Sequence, residues 1–446
     1  MFPIFQDEAE RCLLCKKPKC QSFCPINTPI PEVIALYKQG KFHEAGKLLF
    51  ENNPLSIVCA TVCIHEEQCL GHCILNAKNA PIAFHKIEEE LSKVFLETTS
   101  FKQTVNNGNR IAIVGGGPAG ISIAFILAHK GYSVTIFEAN SKIGGVLRYG
   151  IPEYRLSNKV VDLVEDKLIE SGVKIRPNTL IGPVITLDRL FEDGYHAAFI
   201  GTGVWNPKPL IIKGETLGNV HYAIDFLKSP ETYHLGDSVA VIGAGNVALD
   251  AARSAIRNGA SVVTIIYRKG FEEMPATQME IREALDDGIN FELYKYPIEI
   301  KENGVLLGDI ERIKSDVEGV IDGYIQKNNS KTLFKADSTI IAISQNPRNN
   351  IVNNTTELNT SGKGLLITDN EGRTTKRGTF ASGDVVTGAK TVVEAIAHAK
   401  VVAETIDQYC QSQQICRINT IDNCDGPDCA ENARLDCLSN WSFDNY

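Results

Sequence analysis

The stretch IAIVGGGPAGISIAFILAHKGYSVTIFEA, residues 111–139, decides the fold. A short apolar run ends in glycines. A longer apolar segment of helical period follows and stops at Gly131. A second apolar run then ends in an acid. Period and punctuation together predict strand, turn, helix, strand. Gly115, Gly117 and Gly120 occupy the turn as G-x-G-x-x-G, with Pro118 and Ala119 opening the helix. The first glycine makes the tight turn, the second lets backbone approach a pyrophosphate, and the third lets helix close on strand. Glu138 ends the next strand, where an acid accepts from a ribose hydroxyl. This segment reads as a dinucleotide site, with phosphates at the helix N-terminus.

A second unit of the same kind begins at SVAVIGAGNVA, residues 238–248. Gly243, Ala244, Gly245, Asn246, Val247 and Ala248 spell G-x-G-x-x-A. Its following strand ends in Arg268-Lys269 instead of an acid. Cations at that place accommodate the 2′-phosphate of NADP. A third piece, TFASGDVVTGAKTVVEAI, spans residues 379–396. There Gly383 permits close approach and Asp384 can accept from a sugar or ribityl hydroxyl. The helix starting near Lys390, Thr391 and Val392 would turn its positive end toward the negative edge of a reduced flavin. Two sites of different preference imply two cofactors, a flavin and a nicotinamide. No side-chain acid or base is required for hydride transfer between them.

Further strands are expected at AAFIGTG, VVTIIYR and STIIAIS. Strands alternating with helices predict an α/β fold with doubly wound parallel sheets. The expected organisation is a small α-helical domain over 1–105, a first nucleotide domain over 106–230, a second over 231–335, a return to the first over 336–408, and a flexible cysteine-bearing tail over 409–446. The net charge of -9 argues against a nucleic-acid partner. The longest apolar tract is broken by GGGPAG, which makes a poor membrane span. The first residues show no secretory signal, so a cytoplasmic location is expected.

Thirteen cysteines are placed very unevenly. Eight lie between Cys12 and Cys73, none between Ile74 and Tyr409, and five, Cys410, Cys416, Cys424, Cys429 and Cys437, in the tail. Such local density in a reducing compartment favours metal over disulfides. The first set, Cys12, Cys15, Cys20 and Cys24, has the spacing C-x2-C-x4-C-x3-C-P. The second is Cys59, Cys63, Cys69 and Cys73. Zinc would commonly use two CxxC pairs, and only one is present. Cys-Pro endings of this kind occur in bacterial ferredoxins, where the run's fourth cysteine ligates a second cluster. Neither nucleotide domain holds a cysteine, so a flavin there has no dithiol to reduce. Iron–sulfur centres therefore fit the context better than zinc. The tail cysteines match no standard spacing.

With these motifs in place, the chain resembles the pyridine nucleotide-disulfide oxidoreductases. More narrowly, residues 8–408 resemble the small (β) subunit of NADPH-dependent glutamate synthase and the electron-input part of dihydropyrimidine dehydrogenases. The resemblance implies two Rossmann-like domains preceded by a bis-[4Fe–4S] domain. It places FAD in the first site and NADPH in the second. Gly144, Gly145 and Val146 would flank the flavin, and Arg155, within RYGIPEYRL (148–156), would contact it. One cluster would take Cys12, Cys15, Cys20 and Cys73. The other would take Cys24, Cys63 and Cys69. Aligned through Ala80-Pro81-Ile82, its fourth ligand would be Glu88, leaving Cys59 as a buried structural thiol. The chain departs from family habit at Asn246, often Asp, and at Met274, where some relatives carry another arginine. The implied activity is NADPH-dependent electron delivery to a large subunit, ferredoxin or a small acceptor. The alternative is a subunit that is silent without its partner.

Overall fold

The computed structural model describes residues 4–102, 105–314, 321–327 and 330–422. The described residues divide into two compact units. One comprises Met1–Leu147, Arg155–Val204 and Pro347–Tyr446; the other comprises Arg148–Tyr154 and Trp205–Asn346.

The first unit holds a parallel five-stranded sheet. Its order is Thr379–Ala381, Ala197–Ile200, Arg110–Val114, Ser133–Phe137, Lys174–Arg176. The order reverses beside Arg110–Val114, which is where doubly wound sheets open a ligand crevice at their carboxyl ends. The helix Pro118–His129 is apolar almost all round and correspondingly buried. The long helix Val392–Asp422 packs along it.

The amino-terminal part of this unit is helical. Helices Ile30–Lys38, Phe42–Asn52, Ser56–Val62 and Phe84–Thr98 bury Val33, Ile34, Tyr37, Leu49, Ile87 and Leu91 together. Gly46 sits where two of these helices meet. A Cβ there would lie 2.6 Å from the Phe95 Cβ, so only glycine permits the approach. Phe50 stacks edge-on against Phe125 of the dinucleotide helix, with centroids 5.3 Å apart. The Lys400 ammonium donates to the Asn52 carbonyl at 3.1 Å and to its Oδ1 at 3.0 Å. The cysteine-bearing helices are thus fastened to the nucleotide fold by an aromatic cluster and a bonded lysine.

The second unit holds its own parallel sheet, Val220–Tyr222, Ser338–Ile341, Ser238–Ile242, Val262–Tyr267, Asn290–Leu293. An antiparallel sheet of Lys295–Lys301, Gly304–Lys314, Ile321–Gln326 and Thr332–Lys335 is added to it in sequence.

Two expectations are corrected. STIIAIS was expected to open the return to the first domain. Instead Ser338–Ile341 pairs in parallel with Ser238–Ile242 of the second sheet, as Val220–Tyr222 does with Ser338–Ile341. Fully buried parallel strands look alike, so their sequence does not say which sheet they complete. The tail was expected to be flexible from 409. The helix instead runs unbroken to Asp422. Asp407 accepts from Tyr132 at 2.6 Å and Lys130 at 2.7 Å, and Cys410 is 1% exposed. A buried aromatic and a cation hold this turn, and polar composition alone hid both. Cys424, Cys429 and Cys437 lie outside the described residues, as does the side chain of Cys416.

Candidate active site and cluster cavity

The three flavin segments meet at the carboxyl ends of the first sheet. Gly115 has φ +103°, and a Cβ on it would come 2.6 Å from the Gly201 carbonyl oxygen. A Cβ on Gly120 would come 2.1 Å from the Gly115 carbonyl oxygen. Gly117 differs, since nothing lies closer than 3.9 Å to its Cβ position. The first and third glycines are needed by the fold, and the second leaves room for a ligand. Pro118 and Ala119 begin the helix as expected. Glu138 is 4% exposed. Its Oε2 accepts from the Gly116 amide at 2.9 Å, and its Oε1 from Asn140. These bonds fix the carboxylate and leave it further acceptor capacity for a ribose.

Gly144 donates its amide to the Gly116 carbonyl at 2.7 Å. Gly145 has φ +54°, and its Cβ position is 2.8 Å from the Gly117 Cα. Val146 starts the short helix Val146–Tyr149 just beyond. From the other side, Gly383 approaches Ala119, its Cβ position 3.5 Å from the Ala119 Cβ. Residues 115–120, 144–146 and 383 are therefore brought together. Asp384 Oδ1 accepts from the Lys390 amide at 3.2 Å. Burial pushes the Asp384 carboxyl up to about 6, against the lowering effect of that amide. Thr391 and Glu394 form reciprocal bonds at the start of the Val392–Asp422 helix, a capping box. The amides of Val392 and Val393 have no intrahelical carbonyl to meet. Lys390 is exposed and pairs with Glu394 at 3.7 Å. Arg155 is half-buried where the chain re-enters this unit, directly after Tyr154 of the other.

In the second unit, the Cβ position of Gly243 would come 2.2 Å from the Ala342 carbonyl oxygen, while that of Gly245 meets nothing within 4 Å. The division of labour is that of Gly115 and Gly117. Ala244 is buried, and Asn246 and Val247 open the helix Asn246–Arg257. Arg268 and Lys269 follow the strand Val262–Tyr267 directly. They are not equivalent. Lys269 is held by Glu273 at 3.6 Å and lies over the Tyr324 ring, 5.4 Å from its centroid. Arg268 is exposed and pairs with no acid among the described residues. The Met274 side chain is buried in the domain core.

The cysteines sort into two groups. Burial, and then neighbouring thiols, push the Cys20 thiol up to about 11; the neighbours are Cys73, Cys12 and Cys15. Cys12 is raised by the same burial and by Cys15 and Cys73. The Ile82 amide donates to Cys73 Sγ at 3.5 Å. The second group lines one cavity, walled by Cys24, Cys59, Cys63, Cys69, Glu88 and Val393. Its hydroxyl contact is Thr28 Oγ1, 3.3 Å from Cys24 Sγ. Cys63 is raised first by a hydrogen bond with Cys59, then by burial, and Cys69 first by burial, then by Glu88 and Cys24. Glu88 is 6% exposed. Its carboxyl is pushed well up by burial and by Cys59, and no ion pair or hydrogen bond engages it among the described residues.

A buried carboxylate beside several thiols and without a cation is unfavourable unless positive metal fills the space. That donor set fits an iron–sulfur cluster. In a four-iron cluster each ligand serves a different iron. Val393 in the cavity wall was not foreseen, and nothing in its sequence marks it. It places the first turn of the Val392–Asp422 helix against the cysteine cavity. Cys59, expected to be a structural thiol, is buried, faces the same cavity and accepts from the Asn53 side chain at 3.2 Å.

Two family profiles match this chain. The family profile described as pyridine nucleotide-disulphide oxidoreductase matches residues 83–189 and 109–399. That described as dihydropyrimidine dehydrogenase domain II, 4Fe-4S cluster, matches residues 4–100. The glutamate synthase [NADPH] small chain of Escherichia coli K12 is 30% identical over 429 residues, 90% of each chain. The NADP(+)-dependent formate dehydrogenase subunit beta of Moorella thermoacetica is 31% identical over 87% of this chain and 59% of its own. Among solved structures, FprA from Mycobacterium tuberculosis in complex with NADPH has a TM-score of 0.58 at 19% identity, covering 74% of this chain and 90% of its own. That likeness concerns the fold alone. The chain belongs to the pyridine nucleotide-disulphide oxidoreductase family, and the two profiles it matches imply FAD, NAD(P) and [4Fe–4S] cofactors.

Proposed function

We propose that this chain takes electron pairs from NADPH and delivers them singly to an acceptor. When bound, FAD would supply hydride-accepting chemistry toward NADPH, and two [4Fe–4S] clusters would supply one-electron transfer toward the acceptor. Gly115–Gly120 and Glu138 hold the flavin dinucleotide. Gly144–Val146, Arg155, Gly383–Asp384 and the helix start at Lys390–Val392 enclose its redox end. The positive end of that helix favours negative charge on the reduced ring. Gly243–Val247 hold the nicotinamide dinucleotide, and Arg268 with Lys269 selects its 2′-phosphate. Cys24, Cys63, Cys69 and Glu88 hold one cluster; Cys12, Cys15, Cys20 and Cys73 hold the other. Cys20 and Cys24 lie four residues apart, so one short helix, Lys19–Ser22, links the two sites.

The observation that carries this reading is the cavity that joins Cys24, Cys63, Cys69 and Glu88 to Val393. A cluster held there would lie against the first turn of the helix Val392–Asp422, whose N-terminus we assign to the flavin. The acceptor is a partner protein. Kinship with a glutamate synthase small chain supports a large subunit in that role, and an electron-carrier protein is the other fit. Anaerobic addition of NADPH to the flavin-loaded protein should bleach its visible flavin band within one turnover. A band unchanged by excess NADPH would sink the proposal.

A further inference from the structure

We propose that the surface around the first cysteine group is a docking site for an acidic one-electron carrier protein. This rests on the electron-delivery reading above and adds where, and to what, the electrons leave.

Four large apolar side chains stand exposed directly beside proposed ligand cysteines. Leu13 (61% exposed) and Leu14 (40%) lie between Cys12 and Cys15, Phe23 (50%) precedes Cys24, and Ile74 (63%) follows Cys73. Phe23 stacks on His72 with centroids 3.5 Å apart, which joins the two cysteine segments at the surface. Exposed apolar side chains gathered at one place mark interaction sites. Leu14 sharpens the point. Its φ is +47°, a conformation where folding alone would favour Gly or Asn. A leucine at such a position, 40% exposed, is not what backbone conformation alone would select.

Between Cys12 and Cys24 every charged residue is a lysine, while the exposed acids Glu66 and Glu67 lie in the other cysteine segment. Lys16, Lys17, Lys19 and Lys78 are exposed, and none pairs with an acid among the described residues. The nearby Glu8 and Glu10 are already engaged, by Arg11 at 2.6 Å and Lys38 at 3.7 Å. The chain as a whole is acidic, at -9. Four uncompensated cations beside a proposed redox centre are therefore complementary to an acidic partner and repel a basic one. A small dye needs neither collar nor lysines, whereas a carrier protein uses both. The electrons balance simply: one NADPH is oxidised to NADP+ and a proton, and two carriers are each reduced by one electron.

The test uses the cofactor-loaded protein and a plant-type [2Fe–2S] ferredoxin as the acidic probe, with basic cytochrome c as counter-probe. Binding is titrated calorimetrically at low and at moderate salt for wild type and for K16E/K17E/K19E. Wild type should bind ferredoxin, more weakly as salt rises, and prefer it to cytochrome c. The triple variant should bind ferredoxin about tenfold more weakly or worse, with NADPH-driven reduction of a tetrazolium dye unchanged. A second variant, L13S/I74S, should weaken binding even at moderate salt. Absence of wild-type binding to ferredoxin, preference for cytochrome c, or equal affinity of the triple variant overturns the docking site. Failure of NADPH to bleach the flavin overturns the electron-delivery reading instead, and the two results are read separately.

Discussion

Replacing Arg268 and Lys269 one at a time tests how the second unit chooses its nucleotide. Arg268 is exposed and without an acid partner among the described residues, so its guanidinium is available to a 2′-phosphate. Hydrogen bonds to a charged group contribute about 1.5–3 kcal/mol, and a tenfold change is about 1.4 kcal/mol. Arg268→Ala should therefore lower kcat/KM for NADPH roughly ten- to hundredfold. Lys269 is already shared with Glu273 at 3.6 Å and with the Tyr324 ring. What remains for a ligand is a screened surface pair of under about 1 kcal/mol, so Lys269→Ala should cost less than about fivefold. NADH lacks the 2′-phosphate, and its kcat/KM should be the same in all three proteins. The assay is the anaerobic initial rate with a tetrazolium dye, over a range of each nucleotide. An Arg268→Ala protein that loses NADH and NADPH activity equally would refute the reasoning. So would a Lys269→Ala protein that loses more than Arg268→Ala.

Other consequences follow from the same geometry. Gly117→Ala should fold with an unchanged melting temperature yet fail to retain FAD, because only a ligand would meet its Cβ; Gly120→Ala should not fold, its Cβ lying 2.1 Å from a carbonyl oxygen. Flavin content and circular dichroism separate the two. Asp384→Asn should stabilise the FAD-free protein at pH 7.5. An acid raised to about 6 is ionised at a cost in the folded state above that pH, and takes up its proton before the unfolded chain as pH falls, so the folded state gains stability below about 6. The gain from the substitution, on the order of 2–3 kcal/mol at pH 7.5, should shrink toward zero by about pH 4, as read from urea melts. Glu88→Gln should raise the melting temperature of the cluster-free protein by removing an uncompensated buried acid. It should also lower the iron content of the loaded protein from about eight toward about four per chain.

Much of this was legible in the sequence, for a physical reason. Gly115, Gly117 and Gly120 are dictated by backbone approach, which depends on spacing and not on remote neighbours. The same holds for Gly243 and Gly245. What the sequence left open depends on distant packing. Ser338–Ile341 is apolar on both faces and would suit either sheet; its partner, Ser238–Ile242, decides. The turn around Asp407 looks solvated until Lys130 and Tyr132 are brought to it. Lys269 looks like the twin of Arg268 until Glu273 folds back one helical turn later. The division of cysteines between two groups came from resemblance. It is the cavity behind Val393, contributed by the far end of the chain, that gathers Cys24, Cys63, Cys69 and Glu88.

The most direct test is electron paramagnetic resonance of the anaerobically purified protein, before and after NADPH, with iron, sulfide and flavin counted on the same sample. Two clusters fed by the flavin require about eight irons per chain and low-temperature signals of reduced [4Fe–4S] centres that appear with NADPH as the flavin bleaches. A protein whose flavin bleaches while no iron–sulfur signal appears, or one that holds one or two zinc ions instead of iron, would contradict the account.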